Sequence, residues 1–178
     1  MTKKMLVLAV TIMMVFASIM PVLADSIITI TGTDDATIDT DVIAFTTFEL
    51  DGTDQVDLEG STGVWTAVDA RGTGAGWYVT IVASTPTSTV GDHEIDVANF
   101  EMTIPSVTAV AGNTAPTYTA FASAAALAPV KNMLVAPAGT GMGTYTFTPT
   151  FTLDVPAETY AGEYVTTVNI TMNQSPLE

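Results

Sequence analysis

One histidine, nineteen carboxylates and no cysteine are the chemical materials of this 178-residue chain. His93 stands in Gly91-Asp92-His93-Glu94-Ile95-Asp96, where Asp92, Glu94 and Asp96 could join it around a metal ion. That spacing matches no recognised ligand pattern, and the stretch reads as a solvated turn entering a strand. Carboxylates also gather at Asp34, Asp35, Asp39 and Asp41, and again at Asp51, Asp54, Asp57 and Glu59. Calcium is the cation that such hard oxygen donors would take, although neither group keeps the EF-hand register. No cofactor is expected, with a structural Ca2+ as the alternative. Nucleophilic catalysis needs an activated side chain beside a base, which a chain with no Cys and one His does not advertise. Carboxylates are so common here that a pair for glycoside hydrolysis carries no information. The chain is expected not to be an enzyme.

The most distinctive segment is Asp69-Ala70-Arg71-Gly72-Thr73-Gly74-Ala75-Gly76-Trp77-Tyr78-Val79. It reads as a strand ending at Asp69, a connection with three glycines, and a new strand from Trp77. Glycine tolerates positive φ, so a hairpin is the simplest expectation. Arg71, the only arginine of the chain, lies two residues from Asp69. An exposed ion pair between them would order the loop for at most about 1 kcal/mol. Trp77, Val79 and Ile81 share one face and are expected in the core, with ligand contact the alternative for Trp77. Trp65 and Tyr78 are the aromatic side chains expected to be more exposed and open to a ligand.

These residues must be positioned by strands, because period-two alternation dominates and helical periodicity is nearly absent. Over Thr144–Val155, Tyr145, Phe147, Pro149, Phe151, Leu153 and Val155 fall on one face and polar residues on the other. One strand with a buried and a wet face has this pattern, and Pro149 places it at an edge or a bulge. Tyr164–Met172 alternates likewise, and Pro156–Gly162 supplies a loop, so the two strands are expected to pair. Shorter strands are expected at Ser26–Thr31, Asp41–Leu50, Val64–Asp69, Trp77–Ala83 and Ile95–Ile104, separated by turn-forming Gly, Asp, Thr and Pro. Phe121–Met133 reads as a short helix or an irregular crossover. The expected fold is all-β, a single antiparallel β-sandwich domain.

The ends and the charge set the compartment. Lys3 and Lys4, an apolar run from Met5 to Met20, and Val22-Leu23-Ala24 have the form of a secretory signal peptide over residues 1–24. Cleavage after Ala24 would leave a domain over residues 25–178. Nineteen acidic and two basic residues follow Ala24, for a net charge of −17 on the secreted part. Such a field repels nucleic acid and anionic headgroups, so neither is expected as a partner. With no Cys, stability must come from packing and sheet hydrogen bonds. The chain stops at Gln174-Ser175-Pro176-Leu177-Glu178 with no apolar helix, so no membrane attachment is expected once the leader is removed.

The segment Asp69–Val79 resembles the mid-domain Asp-x-Arg-Gly-Thr-Gly-x-Gly-Trp motif of the WxL-domain bacterial surface proteins. Trp77-Tyr78-Val79 stands where that family has Trp-x-Leu. Leu153–Pro176 is also similar, through Val155-Pro156-Ala157 and Tyr160-Ala161-Gly162-Glu163-Tyr164. Ile170-Thr171-Met172 occupies the place of the second Trp-x-Leu motif. The likeness runs from about Val64 to Pro176. It implies a secreted β-domain held non-covalently on a Gram-positive cell wall, with peptidoglycan or another wall polymer as ligand. It also implies ligand-binding roles for Asp69, Arg71, Gly72, Gly74, Gly76, Trp77 and Val79, and for the distal positions Ile170 and Met172. Anionic wall polymers would repel a chain this acidic, so stacking, hydrogen bonds or bridging divalent cations are the expected means of attachment. The alternative is a structural subunit of a surface fibre or layer that assembles with itself or other surface proteins, lending Ser26–Thr31 to a neighbour's sheet edge.

Overall fold

The computed structural model describes residues 28–176, and the expected leader with its cleavage point lies outside them. Residues from Thr31 onward form one compact unit. Fourteen strands are found among the described residues. In chain order they are β1 (Thr37–Asp39), β2 (Ala44–Phe45), β3 (Gln55–Ser61), β4 (Trp65–Asp69), β5 (Trp77–Ala83), β6 (Thr87–Ser88) and β7 (Phe100–Thr103). There follow β8 (Thr108–Gly112), β9 (Ala125–Ala126), β10 (Lys131–Ala136), β11 (Gly143–Phe147), β12 (Thr150–Val155), β13 (Tyr164–Val165) and β14 (Val168–Asn173). Two single 3-10 turns, Val97–Asn99 and Thr119–Phe121, are the helical pieces, and no described helix is long and apolar enough to cross a membrane.

Every pairing is antiparallel. The sheets run β1-β4-β11-β8, β10-β5-β14 and β2-β3-β12-β7-β9, with β13-β6 as a separate ribbon. One core joins the three larger sheets, because each turns alternate apolar residues inward. Trp65 and Ala67 on β4, Val79 and Ile81 on β5, and Met102 on β7 are fully buried. Trp65 packs edge-on to Phe147 at 5.9 Å and tilted against Phe151 at 5.8 Å, so one ring bridges the first and third sheets. Trp77 reaches Tyr145 across to the second sheet's neighbour at 6.5 Å. Aromatic pairs in these offset geometries add to the area they bury.

The alternating run over Thr144–Val155 is two strands in two sheets, not one. Its inward face is kept through Pro149, which is buried, but the ladder stops at Thr148 and Pro149. Proline offers no N–H for a ladder, so the chain leaves β4 and β8 there and resumes between β3 and β7. The expected pairing of this run with the C-terminal strand is also replaced. β14 lies on β5, with Ile170 opposite Ile81 and Met172 opposite Val79. No ladder forms over residues 28–31, the described part of the expected strand Ser26–Thr31, where Ile28 and Ile30 are exposed. Alternation without a partner does not make a strand. Of Asp41–Leu50 only Ala44–Phe45 is paired. Residues 122–130 are an irregular crossover with the short strand β9, and 131–133 already belong to β10, so no α-helix forms there.

Candidate functional site

The glycine-rich segment is not a hairpin. β4 and β5 belong to different sheets, and residues 70–76 carry the chain between them. The Asp69–Arg71 pair within it is buried rather than exposed, with 1% and 7% of the two side chains accessible. Arg71 donates from Nε to Asp69 Oδ1 at 2.9 Å and from Nη2 to Asp69 Oδ2 at 3.0 Å, the two-pronged geometry that suits a planar guanidinium. Nη2 also donates to Gly76 O at 2.9 Å, and Nη1 to Gln174 O at 2.7 Å. The Arg71 hydrogen bonds hold the Asp69 carboxyl below the usual carboxylate range, against a burial effect of opposite sign. One side chain therefore ties the end of β4, the start of β5 and the segment after β14 into a clasp.

Gly76 is required there on two counts. Its φ is +81°, and a Cβ would stand 2.6 Å from Ala136 O and 2.8 Å from Ala138 N. Gly74 O accepts from Gly139 N at 2.8 Å, and Gly72 is exposed at the loop tip. Trp77 and Val79 are wholly buried, and the Trp77 indole donates to Gly141 O at 2.9 Å. Tyr78 is half-buried on the opposite side of β5. The expectation that Trp65 is exposed is overturned: it is 0% accessible, in phase with Ala67 and Asp69 on the inward side of β4. Ile170 and Met172 are half-buried and pack on the core. The motif residues thus come together, except that those with the largest rings offer no surface to a ligand.

The carboxylate groups serve the backbone. Asp51 Oδ1 accepts from Thr53 N, Thr53 Oγ1 and Gln55 Nε2 at 2.7–2.9 Å, which also lowers its pKa. Asp54 Oδ1 accepts from Ala157 N at 2.9 Å. Asp35 Oδ1 accepts from Gln174 Nε2 at 2.6 Å. Among the described residues no three His, Asp or Glu side chains are grouped to hold a metal ion.

Accessible volume lies elsewhere. Thr46–Leu50, expected as strand, leaves the ladder and forms one wall of a cleft of about 960 Å³. Thr159–Tyr164 line it as well, together with the buried apolar side chains of Ile95, Phe100 and Val155. A smaller recess of about 320 Å³ adjoins it, sharing Tyr160 and Tyr164 and adding His93 and Glu158. His93 lies flat on Tyr160, with ring centroids 3.7 Å apart and planes 6° from parallel. Tyr164 Oη donates to Tyr160 O at 2.9 Å. The sequence signal for this site was present in Tyr160-Ala161-Gly162-Glu163-Tyr164, where Tyr160 stands in a loop beside Gly and Glu and Tyr164 opens β13.

The family model described as "WxL domain surface cell wall-binding" matches residues 42–176, a longer span than the likeness read from the motifs. No curated protein and no solved structure matches the chain.

Proposed function

The chain belongs to the WxL domain family of surface cell wall-binding domains, and from that premise we propose that the polymer it holds is peptidoglycan. It is a wall-binding module located at the cell surface. Attachment is non-covalent and the domain acts by binding alone, reaching the wall after its leader is cleaved at Ala24. The observation that carries the choice of polymer is the lining of the cleft. Phe48, Tyr160, several threonines, Glu49 and Glu163 border it, and neither Lys nor Arg does. Anionic wall polymers would meet carboxylates there and a secreted chain of formal charge −17 behind them. The glycan backbone of peptidoglycan, uncharged where its lactyl groups are amide-linked to peptide, is not repelled in this way.

Purified protein is expected to pellet with peptidoglycan stripped of anionic polymers at least as well as with whole walls. Excess chelator should leave that retention unchanged, because among the described residues no three His, Asp or Glu side chains are grouped to hold a metal ion. Release by chelator would instead establish a divalent bridge. A second reading, self-assembly by strand addition, is favoured by β8, which pairs only with β11 and exposes all five of its residues. Protein that pellets without peptidoglycan, with filaments in the electron microscope, is the result that reading requires.

A further inference from the structure

Tyr160 is 63% exposed although one face of its ring is covered by His93. Its accessible area is therefore on the other face and the edges. Tyrosine rings at a surface are ordinarily free to change rotamer, but this one is braced by the stacked imidazole, and its backbone is held by the Tyr164 hydroxyl. Phe48, which also lines the cleft, is 38% exposed, a second apolar surface that the fold has not buried. Core side chains and a rim carrying Glu49, Glu163, Thr47 and Thr159 belong to the same lining. Among the described residues neither glutamate is engaged by a side-chain hydrogen bond.

We propose that this cleft is a saccharide-binding subsite in which a sugar ring of the glycan strand stacks on Tyr160 and turns its hydroxyl and amide hydrogens to the glutamates and threonines of the rim. The proposal rests on peptidoglycan being the ligand and assigns where the glycan sits. The electron-rich face of a tyrosine attracts the weakly positive C–H face of a pyranose, while carboxylates accept from O–H and N–H groups. A braced ring loses little freedom on binding, which favours affinity. The volume falls within the roughly 300–1,000 Å³ of sites for small organic ligands, enough for a short stretch of sugar rings. The charge pattern is complementary to a neutral donor-rich chain and opposed to phosphate or nucleic acid. None of the motif residues Asp69, Arg71, Trp77 and Val79 lines the cleft.

The test uses the full secreted protein with two probes: purified peptidoglycan, and N-acetylglucosamine oligosaccharides, which present the same kind of sugar ring without peptide or charge. Tyr160→Ala should weaken binding to both by about tenfold, a loss typical of an aromatic anchor. Tyr160→Phe should remain within about twofold of the parent, because the ring rather than the hydroxyl makes the stack. Phe48→Ala should weaken binding in the same direction, and thermal melting of all three should stay near that of the parent. Undiminished binding by Tyr160→Ala, while the parent protein still pellets, would overturn the subsite and leave peptidoglycan as the ligand. Retention on intact peptidoglycan without binding to the oligosaccharides would overturn it in favour of the cross-linking peptides. A parent protein that ignores peptidoglycan altogether would remove the underlying reading, and the subsite with it.

Discussion

Replacing Arg71 with Met is expected to cost about 3–5 kcal/mol and to reverse how stability responds to pH between about 4 and 7. The cost follows from burial, since the substitution leaves Asp69 ionised, nearly inaccessible and without its two-pronged partner. Lost bonds to Gly76 O and Gln174 O release the start of β5 and the segment after β14 as well. The pH effect has a definite sign. In the parent protein Arg71 depresses the Asp69 pKa, so the stability from this group is fully present above its unfolded value of about 3.9 and is lost as pH falls through the folded value. Without the guanidinium the backbone N–H of residue 71 still donates to Asp69 Oδ1 at 3.1 Å, but burial is the larger effect and raises the folded pKa above the unfolded one. The variant should then lose stability as pH rises from about 4, where the parent stays level. Urea midpoints at two pH values in that window check it. Pairing Arg71→Met with Asp69→Leu should recover much of the loss, because an apolar replacement of a buried pair removes the stranded charge. A variant as stable as the parent at neutral pH would mean that the clasp carries no weight.

Trp77→Ala should cost a similar amount, about 3–5 kcal/mol, through the cavity left by a wholly buried indole. The site cannot collapse easily. Gly141, at φ +71°, already lies against the indole nitrogen, and Tyr145 packs on the ring from the first sheet. Trp77→Phe keeps a ring but strands the Gly141 carbonyl, for a cost of about 1–3 kcal/mol, and should remain folded. That variant separates packing from recognition. It should hold peptidoglycan as well as the parent does, because its ring has no accessible surface. Loss of wall affinity at unchanged melting temperature would make Trp77 a ligand contact after all.

The strands read most accurately from the chain are those whose partners matter least to the reading. β4 and β5 alternate strictly between buried and half-buried residues, so apolar rhythm alone marks Trp65–Asp69 and Trp77–Ala83. The same rhythm says nothing about neighbours. Thr144–Val155 kept one inward face while changing sheets, and only the missing N–H of Pro149 hinted at the break. β3 escaped notice because Asp57 and Glu59 look like part of an ion cluster, although they are the outward positions of a strand between β2 and β12. The WxL motif was legible as a pattern, and its ion pair as a pair. Its burial was not, since that depends on Gln174 arriving from the far end of the chain. The cleft was the least legible of all. Its walls come from residues more than a hundred positions apart, and one wall had the composition of a strand.

Near Arg71 the first and last parts of the folded unit are fastened together. Thr33 N donates to Ala70 O at 3.0 Å, Gln174 binds Asp35, and Arg71 binds Gln174. Tension between a wall and anything tethered to the start or end of this unit would enter at that knot. The cleft is fed by Val155, at the opposite end of the β11–β12 run from Gly143 beside Asp69. Pulling the two ends of this unit apart would therefore load a handful of polar links first, and the proposed glycan subsite would be reached only after they had parted.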